Sequence, residues 1–442
     1  MTHTMLKAAA ASALLIGSVC TAGAEGYQIN TLSARQNGMG HTGTSLKLGA
    51  ESMIFNPAAL AFMEDNIQVS ATGTFLFSHA SATVADGTKY TTSNGAATPL
   101  AVNLAMKIYD NFSAGISFYT PYGSGINWGD NWPGATLNQS VSLRMYTVQP
   151  TLSWRILPNL SIGAGAMVTW GTVDLDKGLI DPTTVNGLLA LAGSDYRFTD
   201  TPASVNLNGK AATTVGVHVG AMWDINSRWT IGADFRSKMT LKVKSGQASV
   251  RYANELAQGL LQDKLNLINE ANFAASMPAA AVLTFGASFR PTKRLTLALE
   301  AQWTYWSAYK DLNIDFLSEA LTPYDQHIIK DYRNSWTFHA GAQYALTNRF
   351  DVRLGLMVDT TPVNDSYYNP ETPGMTKIEP SCGFSFRPVK NFSIDASLLY
   401  VAGLGRDGSC PVPNLLTGQD GTFAAHYKVH AWSPAIGATV QF

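Results

Sequence analysis

Beyond its first two dozen residues the chain has no run of roughly 18 apolar residues, the length a helix needs to cross a bilayer. A helical membrane span is thereby excluded. Charge is scarce as well: Asp, Glu, Lys and Arg make up 14% of the chain, against roughly 25% in a soluble domain. The formal net charge of -1 argues against a nucleic-acid partner. Of three cysteines only Cys382 and Cys410 lie beyond the N-terminal segment, and the sequence leaves open whether they bridge. There is no exact Gly-x-Ser-x-Gly, His-Glu-x-x-His or Gly-x-x-x-x-Gly-Lys-Ser/Thr, and the His residues, including His218 and His339, are scattered. Neither catalysis, a metal nor a cofactor is expected.

What the chain does have begins with an export signal. Lys7 precedes an apolar stretch at 8–19, too short to span a bilayer, and Ala22-Gly23-Ala24 supplies small residues for cleavage before Glu25. Residues 1–24 are therefore read as a signal peptide. Cys20 follows Val19 rather than a small residue, which disfavours acylation. An exported chain with little charge and no apolar helix has one route into lipid. Only a closed β-barrel then pairs every backbone group without helices.

One pattern recurs six times: a tight turn, Asn or Arg, a bulky apolar residue, and an alternating run. The copies start at Asn111-Phe112, Asn159-Leu160, Arg228-Trp229, Arg294-Leu295, Arg349-Phe350 and Asn391-Phe392. After Trp229, one face reads Ile231, Ala233, Phe235, Ser237, Met239, Leu241, Val243; the other carries Asp234, Arg236, Lys238, Lys242 and Lys244. Period two places these sets on opposite sides of one strand. Six hairpins plus strands at about 66–80 and 425–442 predict fourteen antiparallel strands, with both ends on the short-turn side. The opposite ends carry longer loops, at roughly 80–97, 123–138, 177–203, 250–273, 311–331, 363–374 and 405–424. The fold class is thus all-β: a fourteen-stranded antiparallel transmembrane barrel over 66–442. A soluble propeller or sandwich would turn its charges outward, and the low charge disfavours it. The terminal Phe442, in register with Val440, Ala438 and Ile436, suits a barrel assembly signal.

Residues 25–65 do not alternate. Clustered glycines at 38, 40, 43 and 49 suit a chain folded tightly inside something, and Asn56-Pro57 is a good helix start, with Asn as N-cap. A plug filling the barrel is the reading.

Gly26-Tyr27-Gln28-Ile29-Asn30, Ser33-Ala34, Gly38-Met39-Gly40 and Asn56-Pro57-Ala58 resemble, in order and spacing, the plug or hatch of FadL-type outer-membrane transporters. Pro121-Tyr122-Gly123, Trp128, Trp132-Pro133-Gly134, Gly341-Ala342-Gln343-Tyr344, Arg353-Leu354-Gly355 and Asp359-Thr360-Thr361-Pro362-Val363 extend the likeness over the mature chain. Gly49-Ala50-Glu51 departs from it, since the family often has paired acids there. The resemblance implies passive uptake of hydrophobic molecules, long-chain fatty acids first, with aromatic hydrocarbons or other lipophiles as the alternative. They would pass through an outer groove, an inner pocket and a side opening where the third strand kinks.

On that reading the groove falls to the two leucine-rich loops: Leu188, Leu189 and Leu191 in one, Leu256, Leu260, Leu261 and Leu265 in the other. Packing of the two loops on each other would explain the same leucines. Arg236, Lys238 and Arg353 are candidate partners for a ligand carboxylate, or else pair with luminal acids. Pro121, Tyr122 and Gly123 mark the lateral opening, because Pro cannot donate to a ladder and Gly often marks a bend. Asn56, Pro57 and Ala58 would gate the pocket behind it. A monomer is expected, with outer-membrane lipid and the barrel assembly machinery as partners. An open porin and a barrel lipase remain alternatives; the plug argues against the first and the lack of a Ser/His motif against the second.

Overall fold

The computed structural model describes residues 26–263, 269–412 and 420–442; the export signal lies outside them. Its ladder segments join into fourteen barrel strands. The first seven are β1 (Ile67–Thr74 and Phe77–Thr83), β2 (Lys89–Thr91 and Leu100–Tyr109), β3 (Phe112–Tyr119 and Gly123–Asn127), β4 (Ser140–Leu157), β5 (Leu160–Gly178), β6 (Ala203–Asp224) and β7 (Trp229–Arg236 and Met239–Tyr252). The rest are β8 (Glu270–Ala279 and Val282–Phe289), β9 (Leu295–Thr304 and Asp311–Phe316), β10 (Gln326–Ile329 and Ser335–Ala345), β11 (Phe350–Asp359), β12 (Lys377–Val389), β13 (Phe392–Gly403 and Arg406–Val412) and β14 (Gly421–Gln441). Neighbours pair antiparallel, and β1 returns to β14 with Gln68 opposite Gln441, which closes the wall. The strand count and the short turns agree with the sequence reading.

The barrel is inside-out relative to a soluble protein. Val102, Leu104, Leu299, Phe338 and Leu356 are exposed on the outer face, while Asn103, Gln149, Asp234, Glu300 and Asp359 are buried inside. Rings ride the outer surface in groups: Phe118, Tyr146 and Trp170 in one, Trp303, Trp336 and Phe338 in another. Such aromatic bands mark the membrane boundaries of a barrel.

Two sequence expectations change. The loops at 80–97, 123–138, 250–273, 311–331 and 405–424 are partly strand, because the ladders run on past the membrane band, as where β9 pairs with β10 and β13 with β14. More telling, β7 does not keep one apolar face. Trp229, Ile231 and Phe235 are exposed, yet Met239, Leu241 and Val243 are buried in the interior. A break at Ser237–Lys238 shifts the register. There Ser237 donates its backbone N–H to Val217 and its hydroxyl accepts from the same residue at 2.8 Å. Lys238 is therefore exposed rather than luminal.

The segment before β1 fills the barrel. It holds α1 (Ala34–Asn37), α2 (Ser52–Phe55) and a 3-10 turn at Pro57–Phe62, where the Asn56 side chain accepts from the Ala58 N–H at 3.0 Å. Wall glycines let its backbone come close. A Cβ on Gly163 would strike the backbone of Pro57; on Gly232, Thr44 O; on Gly341, Met39 O; on Gly355, Gly40 N. Polar wall groups then bind it: Glu300 accepts the N–H groups of Gly43 and Thr44 at 2.7 Å each, and Ser161 donates to Ala58 O at 2.8 Å. Each such bond is worth about 1 kcal/mol net. Together they hold the plug as part of the fold.

Candidate functional site

Two features lie above the plug. The outer one is a groove of ≈ 390 Å³ among the upper strand ends, lined by Leu179, Val250, Phe316, Tyr324 and Lys177 among others. Beside it stand two short helices, α3 (Pro182–Leu191) and α4 (Glu255–Leu261). Each starts on a side-chain cap, Asp181 accepting from Thr183 N–H and Asn254 from Ala257 N–H. The helices share one apolar cluster. Leu189 and Leu261 are buried with Ile180, Val185, Phe198 and Ala257, and Leu260 is packed against that cluster. Leu188, Leu191 and Leu256 remain exposed, Leu191 to 88%. Leu265 lies outside the described residues. The leucines thus divide between helix packing and free surface, and the groove lies alongside them, sharing Leu179, Val250 and Tyr324 with the helix cluster.

The inner feature is a chamber of ≈ 90 Å³ with an apolar lining that includes Leu143, Val173, Leu241, Val243 and Met277. Its floor is Tyr27, from the start of the plug. The Tyr27 ring meets Trp306 edge-on at 4.8 Å and Tyr309 at 6.0 Å, and its hydroxyl donates to Pro278 O. The sequence reading named Tyr27 only as part of a motif and missed this role.

Between groove and chamber runs the segment 369–372. Asn369 borders the groove; Glu371 and Thr372 border the chamber. Glu371 accepts from Lys330 at 2.5 Å, with side-chain exposures of 9% and 1%. Lys177, which also lines the groove, lies in the field of both and donates to Gln326 at 2.9 Å. Two cations and one carboxylate meet here. No sequence signal marked them, because loop lysines look like solvated surface until burial is known.

The residues singled out for charge sit elsewhere. Arg353 is buried, bound to Gln343 and Ser385 and 3.6 Å from Asp395, in the wall beneath the plug. Arg236 stands 3.7 Å from Asp234, at a narrow gap between plug and wall. Lys238 points away from the lumen. None of the three lines the groove or the chamber.

The third strand breaks at Thr120–Tyr122. Below the break, β3 pairs with both β2 and β4; above it, Gly123–Asn127 pairs with β4 alone. The plug occupies the break: Gln28 bridges Tyr122, Ile29 N–H donates to Pro121 O at 2.8 Å, and Gly123 N–H donates to Tyr27 O at 2.9 Å. Ser124, just beyond, lines the chamber. Asn56, Pro57 and Ala58 are not at this place. Asn56 donates to Thr44 O and Ala221 O, and Ala58 O accepts from Ser153 and Ser161, nearer the short turns. They are anchored there by β4, β5 and β6, so the segment facing the break is Tyr27–Ile29. Cys382 is exposed on the outer face and Cys410 is buried within; both are free thiols.

Residues 15–442 match the family model described as outer membrane protein transport protein (OMPP1/FadL/TodX). Outer membrane protein P1 of Haemophilus influenzae is 20% identical, over 67% of this chain and 64% of that protein; the chain thus spans under two thirds of that relative. The long-chain fatty acid transport protein of Escherichia coli is 20% identical over 91% of this chain and 94% of its own. Among solved structures, a FadL homologue of Pseudomonas aeruginosa superposes with a TM-score of 0.78 at 22% identity, covering 94% of this chain and 100% of that one. The toluene transporter TodX of Pseudomonas putida gives 0.71 at 18% identity, over 95% and 99%. With its closed fourteen-stranded wall and the family model matched across almost its whole length, this chain belongs to the OMPP1/FadL/TodX family of outer-membrane transport proteins.

Proposed function

We propose that this barrel admits hydrophobic molecules bearing an anionic head, long-chain fatty acids first among them, and releases them sideways at the break in β3. The ligand settles in the outer groove, passes the Lys330–Glu371 pair into the chamber, and leaves past Tyr27–Ile29 beside Pro121–Gly123. The observation that carries the choice of substrate is the charge balance at the junction. Lys330 is ion-paired with Glu371, and Lys177 lies in the field of both but is bound only to the neutral Gln326. Asp325 and Asp420 also line the groove, yet among the described residues no acid is within ion-pair distance of Lys177, so a carboxylate arriving there finds a cation without an ion-pair partner. A neutral hydrocarbon would gain nothing from it. The chamber's aromatic floor of Tyr27 and Tyr309, and its small size, favour the second reading, a compact aromatic hydrocarbon. No chemical conversion belongs to this proposal; it has the chain acting as a monomer, inserted by the barrel assembly machinery.

Purified barrel in liposomes separates the readings. Oleate and toluene are offered to the wild type and to Lys330→Met. The proposal expects oleate uptake to fall about tenfold in the variant while toluene uptake holds. Equal oleate uptake by both proteins would remove the charge argument. A Gly123→Arg variant tests the exit and should stop transfer into lipid while leaving groove binding in place.

A further inference from the structure

Leu241, Val243 and Ala211 line the inner chamber. Alternation along β6 and β7 therefore sends Lys210, Lys242 and Lys244 to the outer wall, and all three are exposed. Val243 stands opposite Ala211 and Gln247 opposite Asn208, so Lys244 and Lys210 are neighbours on the two strands, within a one-residue irregularity. Lys238, in the register break below, is exposed too. Like charges on adjoining strands repel. Among the described residues no acid lies within ion-pair distance of any of these lysines. The acids on this outer face are engaged or apart: Asp174 and Asp176 hold Asn206, Asn208 and Arg251, Glu270 on β8 stands opposite Ser249, further along β7 than Lys244, and Asp315 lies on β9, two strands away.

Height decides what such a patch meets. Trp229 begins the outward apolar run of β7 and Phe235 ends it. At ~3.3 Å per residue and a tilt near 40°, the stretch from Trp229 to Lys238 rises about 23 Å, close to the roughly 25 Å apolar band of such barrels. Lys238 thus stands at the edge of the band, and on the same scale Lys242 stands about 8 Å above it and Lys244 and Lys210 about 13 Å above it, within the polar layer of head groups on the side of the long loops. We infer that Lys210, Lys242 and Lys244 form a site for the phosphates of the outer-leaflet glycolipid, with Lys238 at its lower edge. Juxtamembrane lysine clusters attract anionic lipid in this way. The register break then has a second effect, since without it these lysines would point into an apolar chamber.

The test uses the full-length barrel, stripped of lipid in a non-ionic detergent and titrated with diphosphorylated lipid A. Wild type should bind it at least ten times more tightly than the variant Lys210→Gln/Lys242→Gln/Lys244→Gln, and added salt should narrow the gap. Heat-modifiable migration in gels checks that the variant is folded; if it is not, the single Lys242→Gln variant is read instead, with about a threefold loss expected. Unchanged binding by the folded variant would overturn the site. So would wild-type binding of dephosphorylated glycolipid, or of phosphatidylglycerol, as tight as that of lipid A.

Discussion

Gly355 of β11 faces Gly40 of the plug so closely that a Cβ at 355 would fall on the Gly40 backbone nitrogen. Neither partner can yield cheaply, because the Gly40 N–H also donates to Ser381 at 3.0 Å and its φ of +64° is one that L side chains rarely adopt. Gly355→Val should leave the barrel folded and unseat the plug. The measurement is ion conductance in a planar bilayer with limited proteolysis alongside: conductance rises and residues near 40 become cleavable. Gly73→Ala, where a Cβ meets nothing within 4 Å, should match the wild type in both assays.

Tyr27 closes the chamber floor by ring contacts and one hydroxyl bond. Tyr27→Phe loses only the bond to Pro278 O and should change transfer little. Tyr27→Ala removes the ring from between Trp306 and Tyr122, and should raise the rate of ligand escape from chamber to lipid severalfold. Stopped-flow transfer of a fluorescent fatty acid reads this directly. Equal rates for the Ala variant and wild type would show that the floor is sealed by something other than this ring.

The leucines of the loop helices should fall into two classes. Leu261→Asp puts a charge into the contact between α3 and α4 and should melt that contact, at a cost of about 3 kcal/mol or more. Hydrogen exchange of residues 182–191 would report it. Leu191→Asp and Leu256→Asp alter exposed positions and should leave that exchange unchanged. If they also leave oleate capture unchanged, these two leucines take no part in recruitment.

His41 of the plug is buried near His339, and burial pushes its pKa from 6.5 down to about 3. The imidazole is neutral in the seated plug and would take a proton once released. Its contribution to seating is therefore complete above pH 6.5 and declines as pH falls toward 3, by at most about 1.4 kcal/mol per pH unit. Conductance through the wild-type barrel should rise as pH falls across that window. His41→Gln, which has no such proton to gain, should lessen the rise.

The fold was legible because lipid outside and polar filling inside impose alternation strand by strand, and six turns punctuate it. Asn56-Pro57 was legible for a local reason, since a cap needs only its neighbours. The inversion on β7 was not. Trp229 through Val243 keep one parity in the sequence, and nothing local marks the change. It comes from surroundings: above the membrane, water lies outside and an apolar chamber inside, so the same pattern is satisfied only by reversing the face. A strand running past the nine to eleven residues that span a bilayer was the available clue. Lys330, Glu371 and Tyr27 were hidden for another reason. Their meaning rests on contacts between separate segments, 41 residues apart for Lys330 and Glu371 and 251 for Tyr27 and Pro278.

On β4, Met145 belongs to the inner apolar cluster, and its neighbour Tyr146 joins Phe118 and Trp170 on the membrane side. Two oily surfaces stand back to back across a single strand, beside the place where β3 is interrupted. A molecule crossing there trades one oil for another and never has to meet bulk water. Such a crossing stores no work. On the proposed path, ligand would run outward as readily as inward, and the net direction would be set by whatever consumes it on the far side.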